Sequence, residues 1–174
     1  MGVVLFLVGP PGTGKTAIAR QLLDEEIKLV ANPKWTIGKV LTCAAGHYTG
    51  GTFDGADTVP YNGVVNCLAY WEQFLAQKPL TLFDGDRFSN KGVVDFFRER
   101  RADVFCVHVT ASDEVLTQRR IQRGSNQNAT WMKGRVTKAK NFFDQFSTAE
   151  QLTLDASDMS VAHLANRIRT KVFR

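Results

Sequence analysis

Six consecutive apolar residues, Val3–Val8, open the chain and stop at a glycine-rich turn. An unbroken apolar run of that length predicts a strand buried on both faces, because a half-exposed strand would alternate. Apolar positions at helical spacing then predict a helix over 17–29, followed by an extended stretch at 35–43. Residues 46–57 carry glycines and polar groups without either period, which predicts a loop. Further along, the pattern predicts a helix over 62–77, a short buried strand at 80–84 that ends in a carboxylate, and a helix over 89–100 starting at a cap such as Ser89. A strand at 104–109, a helix capped by Ser112 and running to about 122, a break over 124–130, a helix over 132–146, a strand at 152–154 and a closing helix over 160–172 complete the series. Strands alternating with helices imply one α/β domain over 1–174, with a five-stranded, mostly parallel sheet covered by helices on both faces. Sheets of this kind bind ligands beyond the carboxyl ends of their strands. Four segments fall there: 9–16, 46–57, Asp84-Gly85-Asp86-Arg87 and Asp155-Ala156-Ser157.

The first of these, Gly9-Pro10-Pro11-Gly12-Thr13-Gly14-Lys15-Thr16, fits the phosphate-binding pattern G-x-x-x-x-G-K-[ST] between a strand and a helix. That frame aims consecutive N–H groups and the positive helix end at one point, where a phosphate can sit. Gly9, Gly12 and Gly14 let the backbone approach the phosphates, with Pro11 and Thr13 completing the cradle. Lys15 reaches the β and γ oxygens, and the Thr16 hydroxyl is expected to ligate Mg²⁺. The expected ligands are therefore ATP and Mg²⁺, in a three-layer P-loop NTPase fold.

Asp84, at the end of its apolar strand, is positioned to hold the same metal opposite Thr16. Asp86 and Arg87 follow in the same crevice, where Asp86 could take a proton from an acceptor hydroxyl and Arg87 could grip an acidic group. Asp-Gly-Asp is also ordinary turn chemistry. Asp57 and Asp54, in the loop after the second strand, compete with Asp86 for the role of base, and Asp57 is preferred. That loop also supplies Tyr48 and Phe53 as candidates to stack on a base, alongside Tyr61, Phe88 and Trp131.

Charge sharpens the picture. The net charge is +5 with a pI near 9.3, and no Asp or Glu occurs from 115 to 143 while Arg119, Arg120, Arg123, Lys133, Arg135, Lys138 and Lys140 do. A solvated basic helix normally has interspersed acids, so this stretch is expected to face something negative. Arg119 and Arg123 share a helical face, and with Arg135 they resemble the lid of small P-loop kinases, which implies an arginine-rich lid over about 119–135 that closes on the transferring phosphoryl group. Asp155 and Ser157 would skirt the nucleobase. Composition, at 44% hydrophobic and 22% charged, is that of a globular domain. No apolar run approaches the roughly 20 residues that span a bilayer, and residues 1–8 are too short and too uncharged for a signal peptide, so a cytoplasmic location and no membrane partner are expected. Cys43, Cys67 and Cys106 lie among apolar neighbours, as core residues in a reducing compartment would.

The whole chain resembles a small P-loop kinase. Gly55-Ala56-Asp57, Gly85-Asp86-Arg87 and Gly134-Arg135-Val136-Thr137-Lys138 together resemble the phage kinases that phosphorylate 5-hydroxymethyluracil in DNA. The resemblance implies transfer of the γ-phosphoryl group of ATP to the hydroxymethyl oxygen of a modified thymine in DNA, in the cytoplasm of an infected host. It implies that Lys15 and Thr16 hold ATP and Mg²⁺, that Asp57 and Asp86 contact or deprotonate the acceptor, and that Arg87 and Arg135 contact phosphates. Lys138 and its basic neighbours would track the DNA backbone. The spelling of the phosphate loop departs from that family, since Gly-Pro-Pro-Gly-Thr-Gly-Lys-Thr is favoured by AAA-type ATPases. Two alternatives remain. A kinase of a free nucleoside, nucleotide or other small hydroxyl compound would use the same loop and carboxylates; a motor or switch ATPase would be expected to end a strand in adjacent Asp-Glu, where this chain has Asp84-Gly85.

Overall fold

The computed structural model describes residues 2–25, 27–51, 54–126 and 128–174. Strands β1 (Val3–Val8), β2 (Lys28–Ala31), β3 (Lys34–Ile37), β4 (Thr42–Ala45), β5 (Leu80–Asp84), β6 (Asp103–Thr110) and β7 (Gln151–Asp155) form one sheet in the order β2-β3-β4-β5-β1-β6-β7. The five strands β4-β5-β1-β6-β7 pair in parallel, and β2 and β3 add an antiparallel extension at the β4 edge. The sheet thus has seven strands rather than the expected five.

Both extra strands come from one misread region. Helix α1 (Lys15–Leu22) ends well before 29, and Lys28–Ala31 turns through Asn32-Pro33 into Lys34–Ile37. The expected strand at 35–43 is two strands joined by a tight turn. Asp24 makes that turn: its carboxylate accepts from the N–H groups of Val40, Leu41 and Thr42 and from the Thr42 hydroxyl. Those bonds outweigh the effect of burial and hold its pKa at about 2. An Asn-Pro pair between two short β-prone runs was the available signal.

Helices α2 (Val64–Tyr70), α3 (Lys91–Glu99), α4 (Asp113–Gln122), α5 (Ala129–Phe143) and α6 (Val161–Val172) complete the layers, α2 continuing as a π turn over Trp71–Leu75. Asn90, Ser112, Asn128 and Ser160 each accept a backbone N–H at a helix start, so α3 begins one residue later than the Ser89 cap implied and α5 three residues earlier than 132. All six residues of β1 are buried because both faces are covered. On one face Leu5 and Leu7 pack with Ile18 and Leu22 of α1 and with Leu164 and Ile168 of α6. On the other, Phe6 and Phe83 pack with α3, α5 and the end of α2. The three cysteines are free and buried in these cores. Among the described residues no helix is long and apolar enough to cross a membrane.

Phe6 is fully buried and stacks on Phe83, with the edges of Phe142 and Phe146 against it. Phe6→Ala should therefore cost about 3–5 kcal/mol of stability in urea unfolding. A loss below about 1 kcal/mol would contradict the docking of α5 on β1.

Candidate active site

The parallel strand order reverses at β1: the chain leaves it towards β4 on one side and later returns to β6 on the other. A crevice opens at such a point beyond the strands' carboxyl ends, and the loop after β1 sits in it. Gly9, Gly12 and Gly14 all take positive φ, and a Cβ on Gly9 would strike the Val109 carbonyl oxygen at 2.1 Å. Gly14, left-handed, precedes α1 and leaves the first N–H groups of the helix pointing into the crevice. The Thr13 hydroxyl donates to the Pro10 carbonyl at 3.0 Å, bracing the loop from within.

Lys15 Nζ donates to the Gly9 and Pro10 carbonyls, both at 2.9 Å. Burial pulls its pKa down to about 8, against the attraction of Asp84 and Asp57 and with the help of Arg123 and Arg135. Each of these four charges therefore lies within electrostatic reach of Lys15. Arg119, Arg123 and Arg135 are thus on the same side of the molecule as the phosphate loop. Arg119 clasps it, donating to Gly12 O at 3.2 Å and Ala156 O at 2.8 Å.

Asp84, buried at the end of β5, accepts three hydrogen bonds. Its Oδ2 accepts from Thr16 Oγ1 at 2.7 Å, and its Oδ1 accepts from the Tyr48 hydroxyl and, at 2.9 Å, from Ala56 N–H. A Cβ on Gly55 would meet this carboxylate at 2.7 Å, so the loop passes here only as glycine. Thr16 and Asp84 fit an octahedral Mg²⁺ held by a hydroxyl, a carboxylate and phosphate oxygens. Among the described residues no trio of His, Cys, Asp or Glu is grouped as an all-protein metal cage.

Asp57 stands at the crevice mouth, its side chain 68% exposed and its Oδ1 3.9 Å from Arg87 Nη2. Its partial loss of water, then repulsion from Asp84, raises its pKa against the pull of Arg87, Lys15 and Arg135, and solvent tempers these effects. Arg87 lies 3.7 Å over the Tyr61 ring. Asp86 is occupied differently: it pairs with Arg135 and, at 3.2 Å, with Lys138, which ties α5 to the loop after β5. Arg135 also lies 4.7 Å over the Trp131 ring.

Several expected site residues do other work. Tyr48, expected to stack on an acceptor, is 2% exposed and serves Asp84 from behind. Asp54, a candidate base, instead pairs with Arg20 and accepts from Thr49 and Gly50, organising its own loop. Desolvation raises the Asp54 pKa, but the bonds from Thr49, Arg20 and Gly50 prevail and lower it. Asp155 accepts from Ser157 N–H, and Ser157 Oγ accepts from Ser112 N–H, so this pair knits loops together while Ala156 faces the nucleotide side. Phe88 is core. Phe53 falls outside the described residues. Sequence reasoning missed Arg20 as the partner of Asp54, and nothing local could have revealed it across 34 positions.

A cavity of about 230 Å³ adjoins the phosphate loop, lined by Gly12, Gly14, Arg119, Arg123, Ala156, Met159 and Leu164, and is roomy enough for a nucleobase. A larger, shallower depression of about 580 Å³ lies between the start of α3 and the outer side of α5.

A family model described as an AAA domain matches residues 5–142. The chain belongs to the AAA domain family. None of the curated proteins compared matches it. Among solved structures, a sugar kinase from Janibacter sp. HTCC2649 is 17% identical, with 99% of this chain and 95% of that one covered and a TM-score of 0.57. The YorR protein of Bacillus subtilis, solved with phosphorylated GDP, is 12% identical over 98% and 95% with a TM-score of 0.58. A gluconokinase from Sinorhizobium meliloti 1021 is 13% identical over 99% and 92% with a TM-score of 0.55. At these identities the likeness is one of fold, and the AAA domain described here shares its architecture with small P-loop kinases.

Tyr48→Phe removes one of the three donors to Asp84 while keeping the ring packed. Nucleotide binding in the presence of Mg²⁺ should weaken by roughly tenfold or more, a loss of about 1.5–3 kcal/mol for one hydrogen bond to a charged group, and binding in EDTA should not change. Equal weakening with and without Mg²⁺ would contradict the role assigned to Tyr48.

Proposed function

We propose that this protein is an ATP-dependent kinase that transfers the γ-phosphoryl group to a hydroxyl of a small compound. The observation that carries the proposal is the division of labour among three neighbouring carboxylates. Asp84 is committed to Thr16, Asp86 is committed to Arg135 and Lys138, and Asp57 stands at the mouth with no short hydrogen bond. A group in that position, with a raised pKa, is suited to take the proton of an attacking alcohol. Mg²⁺, when bound, neutralises charge on the β and γ oxygens. Lys15 orients the phosphates, and Arg123 carries the arginine lid, adding positive charge where negative charge develops, while Arg135 is held by Asp86. Arg119 bridges the phosphate loop and the loop after β7, which positions the nucleobase cavity.

The sequence resemblance implies a DNA base as acceptor, and the exposed Lys133 and the partly exposed Trp131 on α5 support that second reading. Against it, the acid-free stretch finds its acids elsewhere: Arg135 and Lys138 pair with Asp86, and Lys140 pairs with Asp144. Few cations remain to track a phosphate backbone. The fold shared with a sugar kinase and a gluconokinase supports the small acceptor further.

The deciding experiment incubates the protein with ATP and Mg²⁺ and a panel of sugars, sugar acids, nucleosides and hydroxymethyluracil DNA, then identifies products by mass. A phosphorylated small compound is expected; phosphorylated DNA alone would favour the second reading, and ATP hydrolysis without any phosphorylated product would sink the kinase reading. Lys15→Ala should reduce transfer by roughly a hundredfold or more. Asp57→Asn should lower kcat by about 10²–10⁴-fold with ATP affinity retained, whereas Asp86→Asn should act mainly by loosening α5. Because the Asp57 pKa is raised, the acid limb of the kcat/KM profile should lie above the ordinary carboxylate range, activity rising with pH as Asp57 deprotonates. Persistence of that limb in Asp57→Asn would assign it to another group.

A further inference from the structure

Arg87 is a cation that the protein holds without satisfying. Its side chain is 14% exposed, its guanidinium is stacked on the Tyr61 ring, and its Nε is buried with no hydrogen-bond partner among the described residues. The nearest acid, Asp57, is at 3.9 Å, beyond hydrogen-bond distance, and the adjacent Asp86 is taken by Arg135 and Lys138. Withdrawing a charged donor from water without an acceptor is unfavourable, so buried guanidinium groups are normally paired. The aromatic stack compensates in part and also fixes the plane of the fork, which is the arrangement that recognises a planar or tetrahedral oxyanion through two N–H groups.

The charges leave a matching gap. Asp84 serves Thr16, Asp86 serves α5, and Asp57 alone faces Arg87. When Asp57 takes the acceptor's proton its charge disappears, and Arg87 is then left without a counter-charge unless the acceptor brings one.

We infer that the acceptor alcohol carries an anionic group, a carboxylate or a phosphate monoester, and that Arg87, seated on Tyr61, is its specificity-determining anchor. The inference rests on the reading of the site as a kinase of a small hydroxyl compound. In the step, the acceptor oxygen forms a bond to the γ-phosphorus as the bond from that phosphorus to the β,γ-bridging oxygen breaks; ADP leaves, and the hydroxyl proton passes to Asp57. One hydrogen bond from the hydroxyl to Asp57 and one from Arg87 to the anion, set on either side of the 3.9 Å gap, keep the two functional groups within about 9 Å of each other. The acceptor is therefore a compact hydroxy acid or a phosphorylated polyol of about three to six carbons.

The test compares gluconate, glycerate and glycerol 3-phosphate with sorbitol, glucose and glycerol, and with hydroxymethyluracil DNA, measuring phosphorylated product by mass and kcat/KM for each. At least one anionic member should exceed its neutral counterpart by tenfold or more, and the carboxylate and phosphate arms show which anion is preferred. Arg87→Gln should raise KM for that acceptor at least tenfold, Arg87→Lys should restore part of the loss, and binding of a fluorescent ATP analogue and the melting temperature should stay as in the parent. Phosphorylation confined to neutral compounds or to DNA, or of no member, overturns the inference, as does an unchanged KM in Arg87→Gln. Failure of the kinase reading itself has a different signature: ATP hydrolysis that no acceptor in either panel diverts into product.

Discussion

Everything at the crevice depends on a single buried carboxylate being held still. Asp84 takes hydrogen bonds from the first turn of α1 and from both Tyr48 and Ala56 of the loop after β4, so two segments far apart in sequence converge on two oxygens. A carboxylate withdrawn from water at the end of a buried strand is tolerable only with such donors. The same constraint explains Gly55, since any side chain there would occupy the space of the carboxylate. The loop after β4 is therefore shaped by its obligation to Asp84, and Asp57 reaches the crevice mouth as a consequence of that shape.

The sheet gives this arrangement its rigidity. β1 and β5 are buried through their length because helices cover both faces, and their parallel register, Leu7 beside Asp84, delivers the phosphate loop and the carboxylate to the same end. Aromatic packing of Phe6, Phe83, Phe88 and Phe97 fills one side, while aliphatic packing of α1 and α6 fills the other. The antiparallel β2 and β3 extend the edge, and Thr36 of β3 accepts from the Tyr48 N–H at 3.0 Å, bracing the loop that serves Asp84.

Basic residues divide into those spent within the protein and those that face the crevice. Arg20, Arg135, Lys138 and Lys140 each meet a carboxylate of the chain, some of them on distant segments. Lys15 and Arg87 are different: Lys15 donates to the Gly9 and Pro10 carbonyls of its own loop, and Arg87 is largely buried with Asp57 at 3.9 Å. A net charge of +5 therefore says less about partners than the pairing of individual side chains does.

The order of strands and helices in the parallel core, the phosphate loop and the carboxylate at the end of β5 were legible in the sequence, because each depends on local periodicity or on a spacing that only one chemistry uses. The cap at Ser112 was legible for the same reason. What tertiary structure alone decided was the fate of side chains whose partners lie far along the chain. Tyr48 turned inward to Asp84, Asp54 went to Arg20, and the acid-free helix found Asp86 some fifty positions away. A residue type states what a group can bond to, but which group it meets is set by the register of the sheet and the docking of helices upon it, and no local pattern encodes that.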